Sequence, residues 1–471
     1  MKNYNVKFKI IFFCAIFFSS FLAWGNAEAA NLYVRDGGEG SNCTSWATAD
    51  ACDQLTTAES RVARGDTIYV ASGTYTGGTI DTAASGTSVI TIKKATVAEH
   101  GDGTGWQDSF ATGQAVFTSV LNFYTPYWIF DGASRTTTTT GHGFKCVLAV
   151  GSGTRGLHIY NTSDITIRYV EVTSPNLPII DDCLYNDYCG SAGIYLNGRD
   201  STVENVTLEY NYFHDTAIPM MVINDITDLI VRYNHFARND SDNSETHPAH
   251  SELASISFGT KSNLHFYNNI IEDIEGTAIF AVMNGTILTN MYIYNNLSYD
   301  TGTTFHRGTS NGWYTCTNSG TTCTNVYIYN NIIANFQNTP GIDLMGSGTR
   351  VNHQVKNNLW FCNAEDCGSA VGSTDAAITY DKNWYSGVTF RAAENGAIDG
   401  EGENPFTNVA ALDFTPTALA TTINAGEDLS SVFNFDITGA TRTAPYDIGA
   451  YEYGASEDET APAAPTSLSV S

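Results

Sequence analysis

The side chains of this chain best suited to chemistry gather in one loop and the segment after it. Asn239-Asp-Ser-Asp-Asn-Ser-Glu-Thr-His-Pro-Ala-His-Ser-Glu252 brings Asp240, Asp242 and Glu245 together. With backbone carbonyls, these carboxylates form the oxygen donor set that calcium takes. The spacing is not that of an EF-hand, because no Gly sits at the sharp turn. His247, His250 and Glu252 read either as a transition-metal cluster or as an acid–base cluster. The plain alternative for the whole run is a solvated polar loop. Further on, Lys261 is a candidate base or an exposed turn lysine, and His306-Arg307 sets an imidazole beside a guanidinium. Arg307 would need an ion-pair partner if it faced inward.

Such residues need elements to position them, and a repeat supplies these. Val206-Thr-Leu-Glu-Tyr-Asn211, Leu229-Ile-Val-Arg-Tyr-Asn234, Leu264-His-Phe-Tyr-Asn268, Met291-Tyr-Ile-Tyr-Asn295, Val326-Tyr-Ile-Tyr-Asn330 and His353-Gln-Val-Lys-Asn357 share one pattern. The Asn positions are separated by 23, 34, 27, 35 and 27 residues. Apolar spacing of two, with Tyr, Ile and Val enriched, marks strands with one face inward and excludes a helical repeat. A period in the twenties with loops of variable length marks a solenoid whose turns bury one another. At each corner an Asn can satisfy backbone groups and tolerate unusual dihedrals, so stacked turns predict an Asn ladder.

A second strand follows each variable loop: Gly193-Ile-Tyr-Leu, Ile218-Pro-Met-Met, Ser255-Ile-Ser-Phe, Ala278-Ile-Phe-Ala, Thr304-Phe-His-Arg and Gly341-Ile-Asp-Leu. With Ile194, Ile256, Ile279, Phe305 and Ile342 inward, the outward column is Tyr195, Ser257, Phe280, His306 and Asp343. Aromatic and polar residues in such a column suit a groove, with rings for stacking and polar groups for orientation. Solvent-facing strand residues are the simpler reading.

Composition narrows the partners. The chain has 22 Lys+Arg against 49 Asp+Glu, a formal charge of −27, which argues against nucleic acid and anionic membranes. Lys2, Lys7 and Lys9, the apolar run Ile10–Trp24 and small residues at Ala27 and Ala29 predict a secretory signal over residues 1–29, with no membrane span after its removal. The localisation expected is secreted or cell surface, with the periplasm as a further compartment. Cysteine usage agrees with export: Cys43/Cys52, Cys183/Cys189, Cys316/Cys323 and Cys362/Cys367 are spaced as disulfide loop staples, and Cys146 is left over as a buried thiol.

Taken together, the chain resembles the right-handed parallel β-helix superfamily that includes pectate lyases and related polysaccharide-acting proteins. The resemblance covers residues 30–453. It is carried by the repeat, by the opening Asn31-Leu-Tyr-Val-Arg-Asp-Gly-Gly with Gly65-Asp-Thr-Ile-Tyr-Val-Ala-Ser-Gly-Thr-Tyr, and by Asn404-Pro-Phe, Ile423-Asn-Ala-Gly-Glu and Asp447-Ile-Gly-Ala-Tyr-Glu-Tyr453 near the end. An acidic, proline-bearing linker follows over 454–465. Thr466-Ser-Leu-Ser-Val-Ser471 is similar to the first strand of a fibronectin type III module.

The resemblance implies an all-β right-handed parallel β-helix whose substrate is an extracellular polysaccharide lying on one sheet. Lyase action on a uronic-acid polymer would need a cation on the carboxylate, a base for the carbon-bound proton and an acid for the leaving oxygen. His250, Glu252, Lys261, His306 and Arg307 are the catalytic candidates, Tyr195, Ser257, Phe280 and Asp343 the substrate-binding ones, and Asp240, Asp242 and Glu245 the calcium ligands. Glu252…Lys261-Ser is similar to the Glu…Lys-Ser stretch of alginate and chondroitin lyases, with a longer spacing. A hydrolase would use paired carboxylates. Asp181-Asp182 and Gly141-His142-Gly143 resemble polygalacturonase motifs, but in reversed order. The alternative class is a non-catalytic surface or matrix scaffold that binds glycans, since one fold hosts many functions.

Overall fold

The computed structural model describes residues 29–455 apart from 84, 150–152, 175–190, 240–251, 275–277, 302–311, 337–340, 344–345, 364–366 and 368–370. Each turn of the chain lays down three strands, and every turn stacks on the last in parallel. A first sheet holds Gly78–Ile80, Leu121–Phe123, Arg155–Tyr160, the starts of Ala192–Glu209 and Ile218–Arg232, then Ala254–Ser257, Phe280–Met283 and Tyr314–Cys316. A second sheet runs from Asn31–Val34 through Thr260–Tyr267, Ile287–Tyr294 and Thr322–Tyr329 to Ile378–Asp381. The third has 12 strands among the described residues, from Gly73–Tyr75 to Ile398–Asp399. The architecture is a right-handed parallel β-helix.

Alternation decides what each strand buries. In the second sheet Leu229, Leu264, Met291, Val326 and His353 lie in one register, and all five point into the interior. Interior rows therefore stack like on like, as with Phe213 and Phe236 at 5.2 Å between ring centroids. Such a pair contributes about 0.5–1.5 kcal/mol beyond the area it buries.

The corner between the second and third sheets carries the Asn ladder. Nδ2 of each Asn donates to Oδ1 of the next: Asn211 to Asn234 at 3.0 Å, Asn234 to Asn269 at 3.1 Å, Asn269 to Asn296 at 3.0 Å. The series continues through Asn331 and Asn358 to Asn383, at 3.0, 2.9 and 3.1 Å. Each Nδ2 also donates to a carbonyl of the turn beneath, as Asn296 does to Phe266. From the third rung on, the ladder uses the residue after the one the repeat predicts. Asn268, Asn295, Asn330 and Asn357 instead occupy the left-handed bend before each rung, with φ of 54°, 52°, 51° and 55°. Asn tolerates that conformation, which explains its doubling there.

Two strand expectations change. The position expected for Thr304-Phe-His-Arg is taken by Tyr314–Cys316, which pairs with Phe280–Met283. Phe280 also begins its strand in phase with Ala254 and points inward, so the strand's parity is opposite to that read from Ile279.

The first turn is capped, and two sides of the later turns are covered. The helix Leu55–Glu59 packs its buried Leu55 and Ala58 on the first turn. Phe406, Phe414, Ile437 and Ile448 cover Leu297, Ile332, Leu359 and Trp384 on the third sheet, while Leu429, Phe433 and Tyr446 cover Tyr267, Tyr294 and Tyr329 on the second. Arg442, fully buried, ties this closing segment down by donating to Asn295 Oδ1 and the carbonyls of Gly449 and Ala450, each at 2.9 Å. Cys43–Cys52, Cys316–Cys323 and Cys362–Cys367 are disulfides, and Cys146 is a buried free thiol. Cys183 and Cys189, residues 1–28 of the signal expected over 1–29, and the tail beyond 455 lie outside the described residues.

Candidate functional site

The strands of the first sheet follow the variable loops in sequence, and the N-terminal half of its outer face carries a platform of rings. Register places Asn122, His158, Tyr195 and Met221 side by side on four successive turns. Strand alternation turns all four outward, since Leu121, Leu157, Ile194 and Met220 beside them point to the core. Tyr124 and Tyr160 add a second column. Tyr124 is 42% exposed, so the platform opens to solvent there. Its ring lies 5.6 Å from that of Tyr160 and 6.0 Å from His158, while His158 and Tyr195 are 5.2 Å apart. The planes are tilted or T-shaped rather than coin-stacked.

Polar groups fix this platform. The Arg155 guanidinium sits 3.8 Å over the Tyr195 ring, a cation–π contact. Tyr160 donates its hydroxyl to Asp200 at 2.6 Å, and Asn224 Nδ2 donates to Asn197 Oδ1 at 2.7 Å. His158 Nδ1 lies 3.0 Å from Asn122 Oδ1. Asn122 Nδ2 is turned toward the Gly78 carbonyl, so its oxygen faces the imidazole and the proton is on Nδ1. That leaves Nε2 of His158 with a lone pair and no hydrogen-bond partner. Burial, aided by Arg155, lowers the ring's pKa to about 4, so it is neutral and a hydrogen-bond acceptor at ordinary pH. Sugar rings present apolar faces and hydroxyl edges, and this combination of aromatic rings, a guanidinium and the amide and carboxylate groups beside them can meet both.

Of the sequence candidates, Tyr195 stands on this platform, half-buried. Ser257 faces outward further along the same sheet, where it is 3% exposed and meets Asn284 Nδ2 at 3.3 Å. Glu252 is buried at the foot of the strand Ala254–Ser257. Three candidates are corrected by burial. Lys261 is fully buried, and its Nζ donates to the backbone carbonyls of Asn224, Ser257 and Phe258. Burial pushes its pKa down to about 7, which would suit a base, yet no substrate proton lies within reach of a nitrogen held inside the coil. Phe280 belongs to the core, against Phe266 and Trp313 at 5.1 and 5.2 Å. Asp343, 1% exposed, pairs with Arg350 and accepts from the Cys316 backbone N–H, so it holds a corner rather than a ligand.

Asp240, Asp242, Glu245, His250, His306 and Arg307 lie outside the described residues. Among the described residues no three His, Cys, Asp or Glu side chains converge as metal ligands. The sequence reading missed Tyr124, His158, Tyr160 and Arg155, because the early turns lack the Asn that marks the repeat. The alternation in Leu121-Asn-Phe-Tyr124 and Leu157-His-Ile-Tyr160 is the signal that would have found them.

No protein-family model matches the chain, and no curated protein does. Among solved structures it is similar to pectate lyase Pel9A at 14% identity and a TM-score of 0.55, over 90% of this chain and 96% of that one. A rhamnogalacturonan lyase aligns with 12% identity and a TM-score of 0.38, over 75% of this chain and 87% of that one. The PL6 family alginate lyase AlyGC aligns with 15% identity and a TM-score of 0.35, over 76% and 51%. At these identities the likeness to Pel9A is one of fold.

Proposed function

We propose that the protein is a secreted polysaccharide-acting enzyme that cleaves an acidic, uronic-acid polymer by β-elimination on the outer face of the first sheet. The observation that carries this reading is the ring platform of Tyr124, His158, Tyr160 and Tyr195 with Arg155 beside it, on a solenoid that shares its fold with a pectate lyase. Tyr195 and Ser257 would contact sugar. His250, His306 and Arg307, in segments that lead into Ala254–Ser257 and Tyr314–Cys316, would supply the proton transfers and the cation on the carboxylate, while Glu252, as fully buried as Lys261, is set aside with it. In that reaction a base removes the proton next to the carboxylate, the electron pair forms a carbon–carbon double bond and the glycosidic oxygen leaves with a proton. Asp240, Asp242 and Glu245 would hold calcium by oxygen ligation.

A second reading, a non-catalytic glycan-binding scaffold, is favoured by one observation. Among the described residues, the cations beside the ring platform are already engaged: the Arg155 guanidinium is stacked on Tyr195, and Arg199 lies near the Tyr160–Asp200 pair. Absorbance of unsaturated uronic acids separates the two. The protein is incubated with pectate, alginate and chondroitin, with calcium and with chelator. We expect a rise with one polymer that is lost in chelator. A flat trace on all three, with no reducing ends released, would leave the scaffold.

A further inference from the structure

The outer face of the third sheet carries a network that neither the fold nor the ring platform of the first sheet requires. Lys145 Nζ donates to Glu171 Oε1 at 2.6 Å, and Gln114 Nε2 to Glu171 Oε2 at 2.8 Å. His214 lies between that carboxylate and Asp215, with Nε2 3.2 Å from Glu171 and Nδ1 2.5 Å from Asp215. Arg238 donates through Nε and Nη2 to Asp215, both at 3.0 Å, and Nη2 also reaches Tyr212 Oη at 3.1 Å. The chain of contacts thus begins and ends on a cation, and these two ends are among its more open members, with Lys145 28% and Arg238 34% exposed. Lys145 spends one donor on the protein, and Nη1 of Arg238 is committed to none of these contacts.

A second observation points to a ligand. His142, 1% exposed, stacks on Tyr212 with centroids 6.1 Å apart, and neither ring nitrogen has a hydrogen-bond partner. The Tyr210 backbone lies near enough to influence the ring without meeting hydrogen-bond geometry. A buried imidazole that the protein leaves unmatched, beside a pre-organised set of donors, marks a place that another oxygen completes. In a chain of net charge −27, a rim of two cations with spare donors selects for an anion.

We infer that this face is a second glycan site, taking the carboxylates of separate sugars of an acidic oligosaccharide at Lys145 and at Arg238, three turns apart, with a sugar hydroxyl toward His142. It rests on the acidic-polysaccharide reading only for the class of ligand. A site one sheet away from the ring platform would hold a polymer to the protein between encounters and raise its effective concentration.

The test uses the full chain in chelator, with hexamers of galacturonate and mannuronate as probes and cellohexaose as the neutral control. Histidine ring-proton NMR should show the His142 and His214 resonances moving with an acidic hexamer and not with cellohexaose. Calorimetry on the double variant Lys145→Gln/Arg238→Gln should show at least about a tenfold loss of acidic-hexamer affinity. Unmoved His142 and His214 resonances, or an equal response to cellohexaose, would overturn the inference. So would unchanged affinity in a double variant that melts like the wild type; if that variant does not fold, the NMR arm decides. Turnover of polymer by the wild type is scored separately. Turnover with unmoved histidines removes only this site, and moved histidines without turnover remove only the enzyme.

Discussion

Lys261 has the acidity of a base and the position of a strut. Its ammonium satisfies three carbonyls at the bend between Ala254–Ser257 and Thr260–Tyr267, which a shorter or apolar side chain would leave without a donor. Lys261→Met should therefore cost about 3 kcal/mol of stability in urea denaturation, with turnover per folded molecule changed by no more than about twofold. A hundredfold loss of kcat at unchanged stability would restore it as the base. The histidines divide by environment. His214 lies between two acceptor-only carboxylates, so both ring nitrogens carry protons, and its pKa is raised by Asp215 and Glu171 against the opposing effect of burial. Its stabilisation is full below the ordinary value of about 6.5 and is lost as pH rises through the raised one. His142, His158 and His265 are lowered to about 4 by burial, so their contribution is present above about 6.5 and lost as pH falls toward that value. We expect His214→Gln to flatten the decline in unfolding free energy as pH rises above about 6.5, measured by urea titration at each pH. An identical slope in the variant would mean that the imidazolium is not what the pair of carboxylates holds.

At the scale of elements, the corner is what makes the strands count as a coil. Asn296 donates to Asn331 and to the Phe266 carbonyl, while its oxygen accepts from Asn269 through both backbone and side chain. Asn296→Ala would strip partners from three turns at once, and we expect a cost of about 2–4 kcal/mol, read as a fall in the urea midpoint. A loss under about 0.5 kcal/mol would show that water replaces the side chain at the corner. The repeat revealed this element to within one residue. It did not separate the rung from the bend, because Asn suits both a buried amide ladder and a left-handed φ. Strand parity was less legible: Ala278-Ile-Phe-Ala-Val-Met alternates little, and only pairing with Ala254–Ser257 settles that Phe280 and Val282 point inward.

For the whole molecule, the large negative charge sets the long-range field that any polyanionic partner must cross. Added salt screens that repulsion within about 10 Å at 0.1 M. The association rate of an acidic hexamer, followed by stopped flow in chelator, should therefore rise between about 0.05 and 0.5 M NaCl. A falling rate would mean that local cations such as Lys145 and Arg238 govern the encounter from a distance. The closing segment acts at the same scale. It covers outward apolar residues on the later turns of the second and third sheets, so apolar surface is hidden on two sides of the coil.

The amino-acid sequence by itself determined the solenoid, the corners and the short disulfide staples, because each is written in residues that are close together in the chain. Period-two alternation, an Asn at each of the later turns and cysteines a few residues apart need no knowledge of what lies across the coil. Only the tertiary structure decided which outward residues share a surface. Loops of unequal length separate residues that stack one turn apart, so the ring platform from Asn122 to Met221 and the network from Gln114 to Arg238 are invisible to spacing. For the same reason Lys261 could be read as exposed. Its surroundings are set by the bend beneath it and by the carbonyl of Asn224 on the neighbouring turn, which the chain brings into contact only when it coils.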